Sequence, residues 1–325
     1  MTDPTPIYSA AQVDQLLDGY YDRDDVDSLL ALYDARLDAL EHPQPPVIVP
    51  PKPTVPQGIS VGASNLNQLK GVKVGARRIY NGFGPTRQQN PTLTLANVTQ
   101  CQQKKWRPAL SLGSGNNKAH PGVNNNWPQT HDEFLAMPLD IFLPALKLVA
   151  ALDGLACWHH EPEDDPGDPA SFKRWFGWMS DYYRAKIPGL RIAVCLMAWT
   201  ANHKGGPGFG AWAPDPSKYE VFAVDGYAHD QNTRAADIFT SGVQFARQNK
   251  KRFAIFETGI DQSLNQVPFI QSLDAFVQAN KDITEMVTYW PSGTDAVHNN
   301  HFNDAGLAAF QAMCGNGHWY VGQAA

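Results

Sequence analysis

Eight short apolar runs, each followed by a polar or helix-patterned stretch, dominate the sequence from residue 59 to residue 290. They cover residues 59–63, 76–80, 108–112, 154–158, 191–198, 221–227, 252–257 and 285–290. Runs this short and this uniformly apolar suit strands buried on both faces, and a parallel sheet covered by helices provides that burial. The intervening segments supply helices, best marked at 94–105, 132–152, 169–186, 233–248, 266–279 and 303–313. Asp168-Pro169 is a helix start, with Asp as N-cap and Pro at the first helical position. The stretch after residue 63 is the weakest helix of the series. Eight strands alternating with helices predict a (β/α)8 TIM barrel. A doubly wound sheet also alternates, but it opens on a Gly-rich phosphate turn that this chain lacks.

The barrel pattern starts only after a second kind of sequence has ended. Residues 43–56 hold seven prolines, which predicts a semi-rigid polyproline II spacer. Before it, Val13, Leu16, Leu17, Tyr20 and Tyr21, then Val26, Leu29, Leu30, Tyr33, Leu37 and Leu40, fall at helical spacing. The organisation expected is a helical anchor or oligomerisation segment (1–42), a proline-rich linker (43–56) and the barrel (57–325). The anchor's apolar stripe, in an amphipathic helix or a short coiled coil, needs a partner, either another protein chain or a second copy of itself.

Composition narrows the function. The formal net charge is −6 with no basic block, which argues against a nucleic-acid partner. No apolar run approaches the roughly 20 residues of a membrane span, and the first residues do not resemble a secretory signal. The four cysteines, Cys101, Cys157, Cys195 and Cys314, match no zinc spacing and read as reduced core residues. No cofactor or metal is expected. His159, His160 and Glu163 make a poor chelate, because neighbours on a strand point to opposite faces. The run 58–62 fits G-x-S-x-G but lacks the preceding strand that a nucleophile elbow requires. The Gly-rich run 205–210 lacks the Lys of a phosphate loop and reads as a loop over the barrel mouth.

In a parallel barrel the C-terminal strand ends deliver side chains to one shared site. Here those ends carry Ser64-Asn65, Arg78 and Tyr80-Asn81, Ser111 and Ser114, His159-His160-Glu161, Trp199, Asp225 with Tyr227, Glu257, and Trp290. Glutamates end both the fourth and the seventh strand, and two carboxylates meeting across the mouth are the machinery of glycoside hydrolysis.

At this point the sequence resembles a known group. Glutamates at strands four and seven are similar to those of the retaining glycoside hydrolase clan with (β/α)8 barrels. His160-Glu161 resembles the His-Glu pair of the family 26 mannanase-like enzymes. The run Pro214-Asp215-Pro216-Ser217-Lys218-Tyr219 followed by Val224-Asp225-Gly226-Tyr227, then Phe256-Glu257-Thr258-Gly259, and finally Trp290, resemble the strand-six, nucleophile and strand-eight motifs of that family. After the acid the sequence departs from the family's Asn-Gly and Trp-rich continuation and reads Pro162-Glu163-Asp164-Asp165-Pro166.

The resemblance implies Glu161 as acid/base and Glu257 as nucleophile, with His160, Asp225, Tyr227 and Trp290 at the substrate; Arg78, Asn65 and Trp199, at the other strand ends, are expected to bind substrate beside them. The implied partner is a polysaccharide or cell-wall glycan; a non-catalytic carbohydrate-binding or receptor-binding barrel is the alternative. An anchor, a proline stalk and a sugar-active barrel without a leader together resemble a phage tail protein acting at a cell surface. For the retaining mechanism the carboxyl groups should face each other at roughly 5–5.5 Å. Neighbouring negative charge should raise the pKa of Glu161, and Glu257 should be kept ionised by donors, with Tyr227 and Arg78 the candidates.

The anchor has a direct test. Light scattering on the full-length chain and on a chain beginning at Gln57 should show an assembly for the first and a monomer for the second. Two monomers would remove the anchor.

Overall fold

The computed structural model describes residues 59–64, 66–69, 71–83, 90–114, 127–165, 167–202, 208–291, 299–317 and 319–322. Residues 9–41, expected to be helical, the proline-rich run 43–56, Asn65 and residues 205–207 of the Gly-rich run lie outside them.

Eight strands form a closed parallel barrel: β1 (Ile59–Ala63), β2 (Ala76–Gly82), β3 (Arg107–Gly113), β4 (Leu155–Trp158), β5 (Ile192–Met197), β6 (Val221–Ala228), β7 (Arg252–Ile260) and β8 (Thr284–Tyr289). Neighbours pair in sequence order, and β1 closes the ring by pairing with both β8 and β2. The helices around it include α1 (Pro91–Lys104), α2 (His131–Leu135), α3 (Leu143–Ala151), α4 (Pro169–Lys186), α5 (Ala198–Asn202), α6 (Phe209–Trp212), α7 (Ala235–Gln248), α8 (Val267–Ala279) and α9 (Asp304–Gly315). None of the described helices is long and apolar enough to cross a membrane.

Strand alternation splits the core into two layers. Ala76, Ala109, Leu155, Cys157, Ala193, Cys195, Val221, Ala223, Ala254, Phe256 and Met286 form a cluster inside the barrel. Most are small, as a narrow eight-stranded interior demands. The alternate residues, such as Trp158, Val194, Phe222 and Ile255, belong to the layer between strands and helices. There Trp158 stacks on Tyr183 with ring centroids 5.0 Å apart, and its indole N–H donates to Ser180 Oγ at 3.0 Å. All four cysteines are free and buried.

Several boundaries differ from the sequence expectation for local reasons. The helix expected over 132–152 is broken. Thr130 and Glu133 form a capping box that starts α2, but Pro138, which has no N–H, interrupts the pattern before α3 begins. Helix α1 starts earlier than expected, because Asn90 Oδ1 accepts from Leu93 N at 2.7 Å and Pro91 fits the first turn. Asp168 does cap α4, accepting from Ser171 N at 2.9 Å. After β1 there is only a short 3-10 turn, Leu66–Leu69. A two-residue strand, β9 (Trp319–Tyr320), pairs with the start of β1 and was not legible in the sequence. Ser60 of the G-x-S-x-G run is fully buried near Arg107, with Oγ 3.4 Å from Nη1, so it is no nucleophile.

The β1–β2 seam depends on a missing side chain. A Cβ at Gly62 would lie 1.9 Å from the Ala76 carbonyl oxygen. Gly62→Ala should therefore lower the unfolding midpoint by about 4 °C or more, on the order of 2 kcal/mol. Gly210→Ala, in α6 with nothing within 4 Å of the added carbon, should leave it unchanged or raise it. Equal melting of the two variants would contradict this packing.

Candidate active site

The C-terminal ends of the strands open into a cleft of about 1330 Å³ lined by Tyr80, His160, Glu161, Glu163, Trp199, Asp225, Tyr227, Glu257 and Trp290, among others. At its floor, oxygens of Glu161, Asp225 and Glu257 all lie within 4.8 Å of one another.

Glu257 reaches this position through an irregularity in β7. Val224 pairs with Ile255, but Asp225 pairs with Glu257, leaving Phe256 as an extra residue. Such a bulge turns the strand. Phe256 stays in the barrel interior, and the next side chain, Glu257, is delivered to the mouth at 5% exposure. Both of its oxygens accept phenol hydrogen bonds, Oε1 from Tyr80 at 2.6 Å and Oε2 from Tyr227 at 2.5 Å. His160 Nε2 lies 3.9 Å from Oε1, and its ring packs against Tyr80 at 5.1 Å.

Glu161 lies beyond β4 rather than on it. The chain leaves Trp158 through His159 and Glu161, both left-handed (φ 54° and 53°). His159 is held from both sides: its Nδ1 accepts from Ser114 N at 3.2 Å, and its Nε2 bonds Asp165. Glu161 N donates to Cys195 O of β5 at 3.2 Å. Left-handed backbone at non-glycine residues is strained and collects at functional sites.

Burial is the largest cause of the Glu161 shift, with the charges of Glu257, Glu163 and Asp164 adding to it; together they push the carboxyl up to about 8. The sequence reading put neighbouring charge first; the burial that leads was invisible there. Asp225, 2% exposed, is held well above the usual carboxylate range, by burial first and then by Glu257 and Glu161.

The other expected residues divide. Tyr227 and His160 meet Glu257 directly, and Trp290 packs edge-on against Tyr227 at 5.7 Å. Trp199 lines the cleft at 55% exposure. Arg78 does not reach Glu257 as a donor. It is 1% exposed in the barrel interior, with its guanidinium 4.3 Å from the Phe256 ring centroid and 4.8 Å from that of Tyr80. The donor on this strand is Tyr80, absent from the expected set. Strand alternation could have found it, since Arg78 and Tyr80 share a face and Tyr80 is nearer the mouth. Glu163, read as part of an acidic loop, is instead a half-buried acceptor for Met197 N and Thr200 Oγ1.

The likeness to solved structures fits this geometry. A family 26 β-mannanase from Bacteroides ovatus superimposes with a TM-score of 0.59 at 13% identity, over 82% of this chain and 91% of that one. An endo-β-1,4-mannanase double mutant from Cellulomonas fimi gives 0.59 at 15%, over 81% and 72%. The catalytic domain of a Bacillus sp. JAMB-750 family 26 endo-β-1,4-mannanase gives 0.59 at 14%, over 83% and 89%. The chain is similar in fold to family 26 mannanases. Compared by sequence, it matches no protein-family model and no curated protein.

Among the described residues, Glu161, Asp225 and Glu257 are also the only set of three or more ligating side chains close enough to hold a cation. An all-oxygen set of this kind would suit a hard ion.

A carboxyl protonated more readily in the folded than in the unfolded chain makes the fold less stable as pH rises between the two pKa values. For Glu161 that window runs from about 4.5 to about 8. Glu161→Gln should melt higher than the parent at pH 8, with the gap closing as pH falls to about 4.5. A gap independent of pH would contradict the burial of this carboxyl.

Proposed function

We propose that the protein is a retaining endo-glycoside hydrolase acting on a polysaccharide. The observation that carries this reading is the pairing of Glu161, held protonated by its surroundings, with Glu257, held by two phenol donors, at oxygen distances within 4.8 Å. An oxygen of one within 4.8 Å of an oxygen of the other supports the retaining arrangement over an inverting one, whose carboxyls stand roughly 6.5–9.5 Å apart. In this reading Glu257 attacks the anomeric carbon while Glu161 protonates the departing oxygen. Glu161 then deprotonates the water that releases the sugar. Tyr80 and Tyr227 orient the nucleophile, and Trp290 and Trp199 offer flat faces to sugar rings.

The described lining of the cleft carries Glu161, Glu163, Asp164, Asp225, Asp237 and Glu257 but no Lys or Arg. Polyuronates would be repelled, so the substrate is a glycan without acidic sugars. The fold neighbours named endo-β-1,4-mannanases make β-1,4-mannan the first polymer to test. The acidic, proline-tethered N-terminal segment fits an anchor to a larger particle, such as a phage tail, that brings the barrel to a cell surface.

On a substrate the parent cleaves, kcat/KM should fall as pH rises through about 8, where Glu161 gives up its proton. Glu161→Ala should lose roughly 10²–10⁴-fold on a poor leaving group. It should keep much of its first-step rate on an activated aryl glycoside, with azide restoring turnover. Glu257→Ala should lose activity on both. Variants matching the parent would overturn the assignment, and glycan binding without cleavage would favour a carbohydrate-binding barrel.

A further inference from the structure

The residue that carries the acid is held in an unfavourable conformation. Glu161 has φ 53° and ψ 53°, and Pro162 follows it. Left-handed backbone is unfavourable for a non-glycine residue, and a following proline pushes the preceding residue toward extended conformations. Such a turn persists only where its surroundings fix it.

Within the turn Asp164 N donates to Glu161 O at 3.2 Å, and two further contacts tie it to β5 and the start of α5. The first is the backbone bond from Glu161 N to Cys195 O, at 3.2 Å. The second is a side-chain latch two residues on. Glu163, in the 3-10 turn Pro162–Asp164, accepts at one oxygen from Met197 N at 3.0 Å and from Thr200 Oγ1 at 2.7 Å. Thr200 is 1% exposed and Glu163 half-buried at the cleft wall, so the latch is partly enclosed. Between those two donors, on the same chain segment, sits Trp199, 55% exposed and facing the cleft. One carboxylate therefore ties the acid's turn to the segment that carries an aromatic face.

We propose that Glu163 is a positioning residue that fixes Glu161 relative to Trp199, so that a sugar stacked on Trp199 presents its glycosidic oxygen to the acid. The inference rests on the glycosidase reading and deepens it by assigning the leaving-group side of the cleft to Trp199. A latch of this kind acts on protonation of the departing oxygen and not on attack by Glu257. Its loss should separate substrates by their need for a proton.

The test compares β-1,4-manno-oligosaccharide cleavage with first-step release of dinitrophenol from a dinitrophenyl β-mannobioside, which needs no proton. Glu163→Ala should slow the oligosaccharide by about 10–100-fold and the aryl glycoside by less than about threefold. Glu163→Gln retains an oxygen for both donors and should stay near the parent on both. Combined with Trp199→Ala, Glu163→Ala should add little on the oligosaccharide, because both remove the same alignment. Equal losses on both substrates, or additive losses in the double variant, would reduce Glu163 to a fold-stabilising role and overturn the proposal. A parent inert on both substrates would overturn the glycosidase reading instead. The latch would then be decided by a crystal structure of Glu163→Ala, where Glu161 should leave the left-handed region; an unmoved turn would overturn it.

Discussion

Three carboxyl groups with oxygens within 4.8 Å of one another cannot all carry charge in a partly dry cleft. Much of the architecture around the barrel mouth resolves that conflict by giving the three different surroundings. Glu257 receives two phenol hydrogen bonds. Asp225 sits deepest, almost fully enclosed. Glu161, on a turn beyond its strand, lies between enclosure and solvent and is pushed up to about 8. Environments that separate the pKa values of paired carboxyls are what acid and nucleophile roles require.

The backbone departs from regularity where these groups are delivered. A regular β7 would point Phe256 and Glu257 to opposite faces; the bulge lets the ring fill the barrel while the carboxylate enters the mouth. A regular exit from β4 would not hold Glu161 over the cleft; two left-handed residues do so. Hydrogen bonds that are buried or part-buried maintain the arrangement, from His159 to Ser114 and Asp165 and from Glu163 to Met197 and Thr200. The small interior side chains matter for the same reason, since Ala and Cys leave space for Arg78 beneath Tyr80 and Phe256.

The fold was legible because burial on two faces leaves a strong trace: each strand is a short apolar run, and eight of them alternate with helices. The positions of Glu161 and Glu257 were legible because charge at the end of an apolar run is conspicuous. What escaped depends on geometry that spacing does not encode. Arg78 was an expected donor and Tyr80 was not, yet the longer side chain of Arg78 lies one layer below the mouth. The break at Pro138 was readable in principle, whereas β9 is too short to leave a pattern. The weight of burial in the Glu161 shift needed the packed cleft to be seen.

The most direct test of the account is the anomeric configuration of the first products released, followed by proton NMR during cleavage of β-1,4-mannan or another susceptible polymer. Under the proposed double displacement by Glu161 and Glu257, new reducing ends should first appear with the configuration of the bond that was cut. Products that first appear inverted would contradict the roles assigned to these two residues.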